Sequence, residues 1–70
     1  MIDLDQRARE LNEAFLDKLI SYKSENGLSY FDLAVAVGMS DAWLHSVIKQ
    51  RRFVKSEIYF KFMILMGEME

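Results

Sequence analysis

Apolar residues recur every three or four positions from the start of the chain: Leu4, Ala8, Leu11, Phe15, Leu19 and Tyr22. That spacing keeps them on one face of an α-helix, and Leu16 and Ile20 widen the stripe. It predicts a first helix over about residues 3–24. Asp3 and Asp5 sit where the helix dipole favours negative charge, and Gly27 suits the left-handed turn that closes the far end. Three shorter periodic stretches follow. Ser29 is a good N-cap with Asp32 three residues on, and Phe31, Leu33, Ala34 and Val37 give a second helix over 30–37. Ser40 caps a third over 41–50, in which Leu44, Val47 and Ile48 share a face. Ser56 is the expected cap of a fourth over 57–66, with Ile58, Phe62 and Leu65 on its inner side. Between the second and third helices, Gly38-Met39-Ser40 leaves a tight glycine-containing turn, the spacing of a helix-turn-helix. With no linker, repeat or low-complexity tract, residues 1–70 read as a single all-α domain of four helices.

Composition narrows the function classes. A chain of 70 residues buries a modest fraction of its surface and usually needs a staple or a partner. It has no cysteine and one histidine, so a disulfide framework, a thiolate metal site and a multi-histidine site within one chain are excluded. No cofactor or small-molecule ligand is expected. The start "MIDLDQRARE" is charged rather than basic-then-apolar, which is not a signal peptide. The longest apolar run, "FMILM", is far below the ~18–20 residues that cross a bilayer. The chain reads as cytoplasmic, with no membrane partner. It also reads as no enzyme: there is no phosphate-cradling glycine loop, no cysteine nucleophile and no second histidine to work with His45.

Net charge is −2, yet its distribution is uneven. Acids outnumber bases up to Asp32. Between Leu33 and Met66 the only acids are Asp41 and Glu57, against Lys49, Arg51, Arg52, Lys55 and Lys61. A local basic patch can carry a phosphate footprint whatever the total charge.

The residues from Gly27 to Gly67 carry a resemblance. Gly27-Leu28-Ser29 leads into the second helix; Leu33-Ala34 and Val37-Gly38-Met39-Ser40 form an "LA…VGMS" turn; Leu44 and Val47 are core positions of the third helix; Ile58, Phe62, Leu65 and Gly67 mark the fourth. Without a gap, this pattern resembles the lambda-repressor-like, or XRE, helix-turn-helix domain over about three-fifths of the chain. The resemblance implies a compact four-helix domain with a long first helix and without the family's usual fifth. It also implies a small bacterial or phage-type transcriptional regulator that binds double-stranded DNA, with the third helix in the major groove. Tyr30 stands where the family usually has a glutamine that touches a phosphate. Asp41 and Ala42 stand where relatives carry polar base-reading residues.

Direct readout supplies the expected roles. Asp41 can accept from cytosine's amino group, Ala42 can pack on a thymine methyl, and His45, Ser46 and Lys49 can hydrogen-bond base edges. Tyr30, Arg51, Arg52 and Lys55 would hold phosphates and fix register. The fourth helix is apolar nearly all round, so Phe60, Met63, Ile64 and Met66, together with Trp43, are expected to meet a second copy or a protein partner. A homodimer would place two reading helices ~34 Å apart on a palindromic site. The alternative expectation is a helix-turn-helix that binds another protein, as an antirepressor or inhibitor does.

Overall fold

The computed structural model describes residues 2–69; Met1 and the last residue of the acidic tail, Glu70, lie outside them. Among the described residues the chain is all-helical: α1 (Leu4–Glu25), α2 (Tyr30–Ala36), α3 (Asp41–Gln50) and α4 (Ser56–Leu65). Each starts and stops for a local reason. Asp3, Ser29 and Ser40 accept from backbone N–H groups of Gln6, Asp32 and Trp43, filling donors that the first helical turn leaves free. At the far ends the same bond recurs. The N–H of Leu28, Met39, Arg52 and Glu68 donates to the carbonyl of Lys23, Ala34, Val47 and Met63, five residues back. This closure needs a left-handed residue. Gly38 provides it after α2 at φ +77°, where a side chain is strained. After α3 an arginine, Arg51, takes that conformation at φ +53°.

Two expectations about local structure change. Ser56 does not cap α4. It is the first helical residue, and the cap position falls on Lys55, whose side chain accepts no hydrogen bond from the helix. Lysine has no acceptor to offer, so this helix start is left uncapped. The first helix's apolar stripe is also only half used. Phe15, Leu16 and Leu19 are buried, while Leu4 and Leu11 are 76% and 54% exposed. The reason is length. α1 has 22 residues and α4 has 10, about 33 Å against 15 Å at 1.5 Å per residue. The body covers only the rear of α1.

The core is built from that rear half together with one face of each other helix. Leu16, Leu33, Ala34, Leu44 and Phe62 are fully shielded, with Leu19 and Val47 nearly so. The Phe15 ring lies 4.9 Å from Tyr59 and 6.0 Å from Phe62 by ring centroids, both tilted, the offset geometry that aromatic quadrupoles favour. α2 and α3 are bent by 110° across their turn, so α3 turns one face inward and leaves the other free. No single helix among the described residues is long and apolar enough to cross a membrane.

One polar residue is buried in this arrangement. Asn12 of α1 donates through Nδ2 to the carbonyl oxygens of Arg51 (3.3 Å) and Arg52 (3.1 Å), tying α1 to the end of α3. Asn12→Ala leaves both carbonyls without this donor and is expected to cost about 1–3 kcal/mol, read as a lower urea midpoint at unchanged slope.

Candidate nucleic-acid interface

The free face of α3 is set by what its other face buries. Leu44 and Val47 point into the core, with Trp43 and Ile48 packed at its margins. Ala42, His45 and Lys49 are consequently exposed, Ser46 is half-buried between them, and Arg52 follows one turn on. Arg52 Nη1 lies 3.3 Å from Ser46 Oγ and donates to it, so one guanidinium is already turned onto this stripe. Lys49 and Lys55 form no ion pair among the described residues, whereas Lys61 is held by Glu57 at 3.5 Å.

A chain of contacts runs along the adjoining edge. Lys23 Nζ sits over the Tyr30 ring, 4.7 Å from its centroid, a cation on an electron-rich face. Tyr30 meets His45 edge-on at 4.9 Å. His45 Nε2 is 3.2 Å from Asp41 Oδ1, an ion pair when His45 is protonated. The contact is close but not aligned as a hydrogen bond, and Asp41 Oδ1 is shielded from solvent with no donor. One of the two Asp41 oxygens is turned inward under His45, because at the first turn of α3 the imidazole four residues on lies directly above it.

Arg51 and Arg52 part company. The left-handed turn at Arg51 swings its side chain back across α1, where Nε lies 3.4 Å from Glu13 and Nη1 3.1 Å from Asp17. Arg51 thus fastens α3 to α1, while Arg52 stays on the free face. Lys23, over the Tyr30 ring, also borders this face. Sequence reasoning missed it because it belongs to the acidic first third; its position in the last turn of α1 was the available signal.

The residues expected at a dimer or partner surface are also divided. Trp43, Met63 and Met66 are half-buried against the core, and Trp43 lines a groove with Met39, Arg52 and Phe53. Phe60 and Ile64 are 48% and 51% exposed, on the side of α4 turned away from the other helices. Among the described residues no cluster of histidine, aspartate and glutamate is placed to hold a metal ion.

No protein-family model, curated protein or solved structure matches this chain.

The entry to α2 is fixed by a reciprocal cap. Asp32 N–H donates to Ser29 Oγ (3.1 Å), and the Ser29 N–H donates to Asp32 Oδ2 (2.9 Å). The Ser29 backbone donor, and then its hydroxyl, hold the Asp32 carboxyl below its ordinary value of 3.8; slight desolvation opposes them. A carboxyl depressed in the folded state stabilises above its unfolded pKa, and the effect fades as pH falls through the folded one. The melting temperatures of the parent chain and Asp32→Asn should differ at pH 6 and converge as pH falls below the ordinary aspartate range. Tyr30 rides on this first turn of α2, so the cap also positions the Lys23–Tyr30–His45 edge.

Proposed function

We propose that this chain is a sequence-specific DNA-binding regulator of transcription with an XRE-type helix-turn-helix fold, acting as a homodimer. The observation that carries the reading is the division of α3: Leu44 and Val47 are buried, while Ala42, His45, Ser46, Lys49 and then Arg52 form one accessible stripe. A helix read from the major groove needs that division, with its N-terminal residues leading. The 110° bend between α2 and α3 lies in the range of such motifs. Base reading falls to Ala42, His45, Ser46 and Lys49. Phosphates would meet Lys23, Tyr30, Arg52 and Lys55 beside the uncapped N-terminus of α4, where free N–H groups and the dipole favour an anion. Asp41, with Oδ1 turned under His45, leaves its other oxygen at the leading edge of the reading face.

The test is selection from a random duplex library at moderate salt, with Arg52→Ala run beside the parent. Enrichment of a motif by the parent is the expected result. No motif, with binding equal to the variant's, ends the proposal.

A second reading, a domain that docks on another protein, is favoured by one observation. Phe31 and Val35 are 58% and 56% exposed, four residues apart on α2, an apolar pair that phosphates do not need. It forecasts a stable heterocomplex, lost on Phe31→Glu, and no salt-sensitive DNA binding.

A further inference from the structure

The front half of α1 carries an apolar face that the other helices leave largely open among the described residues, with Leu4 and Leu11 76% and 54% exposed. We propose that this face is closed by the front half of α1 from a second copy, lying antiparallel across it. The inference stands independently of DNA. It places the dimer contact at Leu4, Ala8 and Leu11 rather than at Trp43, Met63 and Met66, which the core already holds.

Leu4, Ala8 and Leu11 continue the same stripe as the buried Phe15 and Leu19, so the sequence spends apolar residues where the fold leaves them wet. At the root of the arm, Phe53 and Tyr59 wall an open groove of about 430 Å³ whose floor includes Leu11 and Phe15. The arm also makes the molecule long. Its radius of gyration is 12.3 Å where a compact chain of this length has about 11 Å. Its accessible surface is 4970 Å² against about 4500 Å² for a compact monomer of this mass. The difference is more than half of the ~800 Å² that each partner gives to a stable interface.

Geometry selects the occupant and its direction. A parallel pair of arms would drive the two bodies into the same space, because both lie on the apolar side of the rear of α1. An antiparallel pair puts each body beyond the other's N-terminus, so that the start of one arm meets the Phe53–Tyr59 wall of the other copy. A two-fold axis near Ala8 sets Leu4 of each copy against Leu11 of its mate, with the small alanine allowing close approach. In such a pair each flank faces the same flank of the other helix. Asp5 and Arg9 share one flank, and Arg7 and Glu10 share the other. Opposite charges therefore fall into register on both sides: Asp5 against Arg9 of the second copy, and Arg7 against Glu10. Within one chain Arg7 already bonds Glu10 at 3.1 Å on the open surface, an exposed contact that can be exchanged at small cost. Such flanking pairs set direction and partner more than affinity. The self-complementary patch is what an isologous dimer requires.

The test uses the full chain without DNA, by sedimentation equilibrium. The parent should show a monomer–dimer equilibrium in the micromolar range. Leu4→Glu/Leu11→Glu should weaken it at least ~100-fold with an unchanged far-ultraviolet spectrum, since both side chains are exposed in the monomer. Asp5→Arg should weaken it and Asp5→Arg/Arg9→Asp restore it. The chain has no cysteine, so Ala8→Cys introduces a single thiol at the axis. It should form a disulfide-linked dimer much faster than Phe31→Cys. A monomer at every concentration overturns the proposal. So does a dimer untouched by the Leu4/Leu11 change, or one broken only by Phe60→Glu/Ile64→Glu. A chain that dimerises this way but enriches no duplex ends the DNA reading alone; one that reads DNA as a monomer ends this proposal and the homodimer part of the DNA reading, and leaves its base readout standing.

Discussion

Replacing Lys49, Arg52 and Lys55 together by alanine is expected to lower affinity for the selected duplex by at least roughly 10³-fold for each half-site. Each is a cation on or beside the free face of α3 with no ion pair among the described residues, and hydrogen bonds to charged groups are worth about 1.5–3 kcal/mol. The accompanying sign is a change in salt dependence. Each phosphate contact releases condensed counterions and adds about 0.9 to the slope of log affinity against log salt. In a dimer the triple variant removes six such contacts and should therefore show a slope shallower by about 5 in anisotropy titrations across salt. Lys61→Ala is the matched control, because its ammonium is already taken by Glu57. Equal losses from the control and the triple variant would show that bulk charge is at work, and an unchanged slope would show that these residues meet no phosphate.

Phe62→Ala is expected to leave little folded protein at room temperature. The ring is fully buried between α1 and the rest of the body, beside Phe15. Truncating such a residue costs about 3–5 kcal/mol through lost transfer energy and the cavity left behind. A chain of this length has only about 3.5–10 kcal/mol in total. Phe31→Ala removes the same atoms from a side chain that is 58% exposed, and should shift the urea midpoint hardly at all. Comparable losses at the two positions would mean that the assignment of inside and outside is wrong.

These two changes rest on features of different legibility. The helices were readable because their determinants are local: Ser29 and Ser40 cap within three residues, and Leu44 and Val47 repeat at helical spacing. Ser56 misled because it resembles a cap, while the turn before it holds Lys55 in the cap geometry. The free face of α3 followed from its buried face. Arg51 did not follow. Nothing in its neighbourhood marks a left-handed arginine, and the carboxylates that receive it, Glu13 and Asp17, lie far back in the chain. Asn12 was hidden for the same reason, since its partners are carbonyls of residues 51 and 52. The stripe on α1 told which side is apolar but not how far the body reaches along it, which is decided by the length of α4.

That unequal reach leaves a signature in how the backbone amides exchange with heavy water. An amide is protected to the extent that its hydrogen bond must be broken by a costly opening. In the monomer the hydrogen-bond ladder of α1 is continuous, yet packing supports only its rear. Amides around Leu16 and Leu19 should exchange only through opening of the whole core, while those from Ala8 back toward the start open by fraying at little cost. A single helix would then show a steep gradient of protection from one end to the other, and the position of the step would mark where the body stops.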